Sequence, residues 1–304
     1  MKKLYERQQR TLARPVELQG VGFLTGQTVR LRFRPAQAST GVVFVRTDLG
    51  PGACIAARAD LVTGTQRRTT LGRGALSIGL VEHVLAALAG LHIDNCYVEL
   101  DAPEPPGLDG SARHFVELLR TAGVRSLPAK RTVWTVTEPV VVRQGDSTLS
   151  LHPLDPNNRI DPANQSPLRI SYFLDYGPLA PIHRQVHTQN VTPTSFASDI
   201  AYCRTFLLEE EALAFQKQGL GARTKISDLL VFGPHGPIDN KLRYADEPAR
   251  HKILDIIGDL SLLGHDLAGH IVAHRSGHPL NVELVRQLDQ QLQATLPRHH
   301  LAAA

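Results

Sequence analysis

Cysteine is scarce in this chain, and its three copies form no binding pattern. Cys54, Cys96 and Cys203 are scattered, which excludes a disulfide framework or a CxxC metal site and fits a reducing cytoplasm. Long apolar runs are also missing. No stretch of about 18 apolar residues exists, so no transmembrane helix is expected. The opening Met1-Lys2-Lys3-Leu4-Tyr5-Glu6-Arg7 lacks the apolar centre of a signal peptide. Charge of one sign is nowhere concentrated. The formal net charge is +4, but arginine and lysine are dispersed, so there is no nucleic-acid stripe, while an anionic small substrate is compatible. What is present is ordinary: 42% hydrophobic and 20% charged residues over 304 positions, enough for one large domain or two ordinary ones.

The order of elements suggests a degenerate duplication. Thr28 to Arg34 alternates, with Val29, Leu31 and Phe33 on one face and three arginines on the other, which predicts a strand after a glycine turn at Gly20–Gly26. Gly41–Val45 is a second strand, Leu80–Gly90 a helix and Asn95–Leu100 a strand; Ser111 caps a helix running to about Thr121. The second half repeats this. Arg10-Thr11-Leu12 matches Arg131-Thr132-Val133, and Glu82–Gly90 lies over Arg250–Gly258 with His83 over His251; His114–Leu118 matches Leu280–Leu284. The first match is offset by 121 residues and the helix match by 168, so the second copy carries about 47 extra residues, too many for an ordinary loop. The expected fold class is α+β: two similar halves, 1–127 and 128–304, each a sheet covered by helices on one face, with an insertion at about 153–243. That insertion holds a polar loop (Asn157–Pro167), a strand (Leu168–Leu174), an amphipathic helix (Glu209–Gln218) and a strand (Ile226–Phe232). Leu208, Ala212, Phe215 and Leu230 can line an apolar groove or simply cover the local core.

The stretch His251-Lys252-Ile253-Leu254-Asp255-Ile256-Ile257-Gly258-Asp259 carries the chemistry. On a helix, His251 and Asp255 share one face, with Cβ atoms about 5–6 Å apart, and Asp259 lies a turn further on. If the matched helices face each other, the small residues Ala87, Gly90 and Gly258 let them approach, and His83 joins the pair. Two imidazoles and a carboxylate suit Zn²⁺ with an open coordination position, and tolerate Fe²⁺. Glu82 is then placed as general base for a water, and Asp259 as a support for a ligand histidine. His278 is placed in a Gly-containing loop, Ser276-Gly277-His278-Pro279, as a general acid or as a solvated loop residue. Thr205 can donate to an oxyanion or close a turn, and Lys252 brings a positive charge close to the metal helix or is a solvated face residue. The pairs His183/His187 and His270/His274 fall on extended chain, where residues four apart are about 13 Å apart, and carry no site.

Val81–Gly90, Leu108-Asp109-Gly110-Ser111-Ala112, Arg204-Thr205-Phe206, Asp246-Glu247, His251–Leu260 and Ser276–Asn281 together resemble the UDP-3-O-acyl-N-acetylglucosamine deacetylase family, zinc amidases of lipid A synthesis. These blocks run from about Leu12 to Leu292. The resemblance implies two β-α-α-β sandwiches with helical layers face to face and the site between them. It implies His83, His251 and Asp255 as zinc ligands, Glu82 as base and His278 as acid. Thr205 and Lys252 would stabilise the oxyanion or substrate, supported by Asp259, and Phe206 and the insertion, including Phe215, would house the acyl chain. Arg275 is the expected contact for the pyrophosphate of a UDP-linked acylated glucosamine. Leu24, where the family commonly has His, Cys203, where Ala is usual, and Gly221–Ile226, replacing a Gly/Ser/Asn-rich segment, depart from the pattern. The expected protein is a cytoplasmic monomer that releases acetate. The rivals are a zinc amidohydrolase acting on another acylated amino sugar, and a non-catalytic sugar-nucleotide or partner-binding protein.

Overall fold

The alternating segment Thr28–Pro35 forms a strand whose Val29, Leu31 and Phe33 are completely buried. Its arginines lie on the opposite face, where Arg30 pairs with Glu17 and Arg34 with Glu99. The computed structural model describes residues 1–154, 168–224 and 228–295. In it this strand belongs to a five-stranded sheet, in the order Val16–Val21, Thr28–Pro35, Cys96–Leu100, Val42–Arg46, Cys54–Ala56. Only Cys96–Leu100 with Val42–Arg46 is parallel. A parallel pair needs a long crossover, and this one holds a three-stranded sheet (Val62–Gly64, Thr70–Arg73, Leu76–Ile78) and helix α1 (Glu82–Gly90). Helix α2 (Arg113–Ala122) follows, with Arg113 N–H donating to Ser111 Oγ.

A second five-stranded sheet runs Val140–Gln144, Ser147–His152, Gly269–His274, Leu168–Leu174, Gln185–Asn190. Its succession of pairing senses is the same, the parallel pair being Gly269–His274 with Leu168–Leu174. Within the crossover lie α3 (Pro193–Ser195), which continues into a π-helical turn at Phe196–Ile200, then α4 (Glu209–Lys217) and α5 (Glu247–Leu260). Helix α6 (His278–Thr295) is the last described element. Helix α5 packs on Leu168–Leu174 and Gln185–Asn190, and α6 on Val140–Gln144 and Ser147–His152. No helix among the described residues is long and apolar enough to cross a membrane.

The Ile226–Phe232 strand of the sequence reading begins later, at Leu230, and runs to Gly233. It forms where Phe206–Leu208 offers a parallel partner, Phe206 opposite Leu230, and Gly236–Pro237 an antiparallel one. Ile226 and the Asn157–Pro167 loop lie outside the described residues.

Two of the contacts between these regions are an antiparallel ribbon and a helix pair. The strand Lys2–Leu12 pairs antiparallel with Val124–Thr135. Across that ribbon Arg7 bonds Asp94 and Asp266 at 2.7 and 2.6 Å, and Arg131 meets the same two carboxylates at 3.1 and 2.6 Å. The other contact is α1 against α5. A Cβ added at Gly258 would stand 2.2 Å from the Glu82 carbonyl oxygen, so the two backbones touch there. Gly90 serves a different neighbour from the one expected. Its missing Cβ makes room for the Phe196 ring, 2.2 Å from where that Cβ would be.

Gly258→Ala therefore sets two effects in opposition. Helix propensity favours alanine by about 1 kcal/mol, whereas pushing a methyl into packed backbone costs about 1–3 kcal/mol and shifts the elements. Because the obstacle is main chain, the clash wins. Thermal and denaturant unfolding should show a destabilised variant; a stabilised one would contradict the close approach of α1 and α5.

Candidate active site and metal centre

The first turn of α1 supplies Glu82 and His83, and one face of α5 supplies His251, Asp255 and Asp259. The Gly258 contact holds these turns together. The His83 and His251 rings meet edge to face, with centroids 5.1 Å apart. Asp255 Oδ1 lies 3.3 Å from His251 Nε2 and 3.8 Å from His83 Nε2, and candidate ligand atoms of all three residues fall within 4.8 Å of one another. The expected ligand set is thus brought together.

The donor chemistry fits a divalent cation. Asp255 is 2% exposed, and its Oδ1 has no hydrogen-bond partner among the described residues. Leaving a buried carboxylate oxygen unpaired is costly unless a cation or donor meets it. His251 Nδ1–H donates to the Cys203 carbonyl at 3.0 Å, which leaves the Nε2 lone pair facing Asp255. Burial, reinforced by His251, pushes His83 down to about 3, and burial also lowers His251, so both rings are neutral and able to ligate. Burial alone would raise Asp255, but the Lys252 ammonium and the protonated His278 hold it below the usual carboxylate range. Lys252 Nζ donates to Asp255 Oδ2 at 2.9 Å and lies 5.4 Å from the Phe206 ring centroid. It is therefore engaged within the site and not a solvated face residue.

Opposite the ligands stands a second polar chain. Glu82 Oε2 accepts from the Thr69 N–H at 2.9 Å, and Oε1 faces His278 Nε2 at 4.0 Å. Burial pushes Glu82 up to about 7, against the pull of His278. His278 Nδ1–H donates to Asp259 Oδ2 at 2.8 Å. Burial alone would lower this imidazole, but Asp259 outweighs it and pushes His278 up to about 9. The sequence reading puts His278 in a loop; it is the first residue of α6 and is buried. The helix starts at His278 because Pro279 fits a first turn, which needs no N–H from it.

A cavity of about 1050 Å³ opens from these groups. Thr205, Phe206, Phe215, Arg275 and Leu24 all line it. Thr205 is fixed by its N–H to the Gly110 carbonyl at 2.7 Å. The Phe206 ring sits 6.1 Å from His251 and 5.9 Å from Tyr176. Phe215 reaches the cavity wall from α4. Arg275, with a left-handed φ of 51°, pairs with Asp175 at 3.0 Å just beyond the ends of the parallel strands Gly269–His274 and Leu168–Leu174.

Three contributors escape the sequence reading as functional groups. Thr69 and Asn281 both donate to Asp259, at 2.6 and 2.8 Å. Buried Glu247 pairs with Arg204 at 2.8 Å and accepts its N–H at 3.0 Å, which clamps the Cys203–Thr205 segment. Glu247 and Asn281 lie in motifs that carry the resemblance, but a hydroxyl or amide has no spacing rule to mark it. Thr69 had no signal at all.

The sequence model of the UDP-3-O-acyl N-acetylglycosamine deacetylase family matches residues 9–290. Among curated proteins, the UDP-3-O-acyl-N-acetylglucosamine deacetylase of Geobacter sp. (strain M21) is 39% identical over 281 residues, covering 92% of this chain and 88% of the relative. The enzymes of the same name from Myxococcus xanthus (strain DK1622) and Chlamydia abortus (strain DSM 27085 / S26/3) are each 40% identical. They align over 92% and 95% of this chain, and over 86% and 100% of their own lengths. A match that spans both helices of the His/His/Asp cluster and nearly the whole chain leaves one assignment: the chain belongs to the UDP-3-O-acyl N-acetylglycosamine deacetylase family.

Proposed function

We propose that His83, His251 and Asp255 hold one zinc ion that serves the reaction named for the relatives. That reaction is hydrolysis of the N-acetyl group of UDP-3-O-acyl-N-acetylglucosamine to acetate and a free amine, in lipid A biosynthesis. The observation that carries this is the unpaired, buried Asp255 Oδ1 between two neutral imidazoles. Ferrous iron suits the same two-histidine, one-carboxylate set, and metal analysis of purified protein distinguishes the two. When bound, the ion supplies Lewis-acid polarisation of the amide carbonyl and acidifies a water.

The protein groups divide the remaining work. Glu82, raised to about 7, exchanges a proton near neutral pH, and Oε1 is its free oxygen because Oε2 is held by Thr69. It takes the proton of the attacking water. His278, kept protonated by Asp259, gives a proton to the leaving nitrogen. Lys252 and Thr205 stabilise the negative charge that develops on the carbonyl oxygen. Phe206 and Phe215 contact the acyl chain, and Arg275 meets the diphosphate. The two five-stranded sheets with their paired helices belong to two α+β units, 1–127 and 128–304, with the insertion at about 153–243. One chain contains every group of the site, so a monomer suffices, and free thiols together with a UDP-sugar substrate support a cytoplasmic reaction. The alternative, another acylated amino sugar as substrate, is disfavoured by the relatives' names.

Acetate release by Glu82→Ala tests the assignment. Loss of the base should cut kcat by about 10²–10⁴-fold while metal content and melting temperature stay unchanged. A variant as fast as the wild type would remove the proposed mechanism. Phe215→Glu tests the acyl contact: KM should rise for long-chain substrates and stay unchanged for an acyl-free analogue. Equal effects on both would leave α4 a structural role only.

A further inference from the structure

The base and the acid meet at one residue that neither α1 nor α5 supplies. Thr69, fully buried, immediately precedes the Thr70–Arg73 strand. Its N–H donates to Glu82 Oε2 at 2.9 Å, and its carbonyl accepts from the Val81 N–H at 3.3 Å. Its hydroxyl donates to Asp259 Oδ1 at 2.6 Å, and the same oxygen lies 3.2 Å from His278 Nδ1.

We infer that Thr69 is a positioning residue for the deacetylation, holding the base through its backbone and the acid through its hydroxyl. The inference rests on the roles proposed for Glu82, His278 and Asp259. Asp259 is fully buried and its two oxygens are differently served. Oδ2 receives His278 Nδ1–H and Asn281 Nδ2–H, each at 2.8 Å. Oδ1 receives the Thr69 hydroxyl. That bond fixes the rotation of the carboxylate, and through it the plane of the imidazole. Without it a buried carboxylate oxygen lacks its donor. The carboxylate then turns to recover one, and His278 Nε2 moves away from its aim toward Glu82 and the cavity. Small displacements of this kind are costly in catalysis, about 10²-fold for about 1 Å. A residue that only packed the strand into the core would need the threonine's shape and not its hydroxyl. Valine has that shape, and it leaves the backbone bond to Glu82 in place.

Zinc-loaded wild type, Thr69→Val, Thr69→Ser and Thr69→Val/Asp259→Asn provide the test, with acetate release, zinc content and melting temperature measured on each. Thr69→Val should lower kcat by about 10- to 100-fold, the scale of losing an outer hydrogen bond at a metal site, with KM and zinc content unchanged. Thr69→Ser should recover most of the loss. In the Asp259→Asn background the valine should cost little more, because the two residues act as one unit. If valine lowers the melting temperature, Thr69→Ser against Thr69→Ala carries the same comparison. The inference is overturned by a Thr69→Val enzyme as fast as wild type, by serine as slow as valine, or by a valine effect undiminished beside Asp259→Asn. A fast Thr69→Val beside an inactive Glu82→Ala overturns this inference alone, whereas a fast Glu82→Ala overturns the proposed mechanism itself.

Discussion

A buried carboxylate with no partner for one oxygen among the described residues governs the arrangement of this protein. Asp255 has Lys252 on Oδ2 and two imidazoles, neither protonated, before Oδ1. Glu82 and Asp259 add two more buried carboxyl groups within the same few residues, against only Lys252 and His278 as cations. Burying that many ionisable groups is unfavourable unless each is paired. Asp259 is paired three times over, by Thr69, His278 and Asn281. Asp255 is paired on one side only, and the unmet side is where His83 and His251 converge.

The helices exist in their present positions to make that convergence possible. Residues four apart on α5 put His251 and Asp255 on one face, but His83 lies 168 positions away in sequence from His251. Only contact between backbones brings the start of α1 within reach, and Gly258 removes the one atom that would prevent it. Apolar burial supplies the force: Val84, Leu85 and Leu88 on α1, and Ile253, Ile256 and Ile257 on α5, are all in the core. The cavity inherits its two characters from this placement. Its lining combines the polar groups of α1, α5 and the start of α6 with side chains from α4 and the short sheet of the insertion.

Much of this was legible in the sequence, and the reasons differ by element. The strand Thr28–Pro35 announced itself by alternation, because one face is in the core and the other in water. The His251/Asp255 pair was legible because helical geometry turns spacing into proximity, and His83 because a weak repeat set it over His251. Other features had no such rule behind them. Thr69 reaches Asp259 across 190 residues through a single hydroxyl, and threonine before a strand is ordinary. The fit of Gly90 to Phe196 depended on a π-helical turn that no pattern marks. The late start of the Leu230–Gly233 strand depended on its partner and not on its own residues. His278 read as a loop residue because a Ser-Gly-His-Pro stretch signals a turn as readily as a helix start.

The central claim is that His83, His251 and Asp255 form one metal site across α1 and α5. Zinc binding by wild type and His83→Ala, measured by chelator competition on protein first stripped of metal, tests it most directly. The wild type should take up one ion per chain, and His83→Ala should bind it more weakly by more than the about 10- to 100-fold that loss of a supporting hydrogen bond costs. Equal affinity in the two proteins would contradict the account.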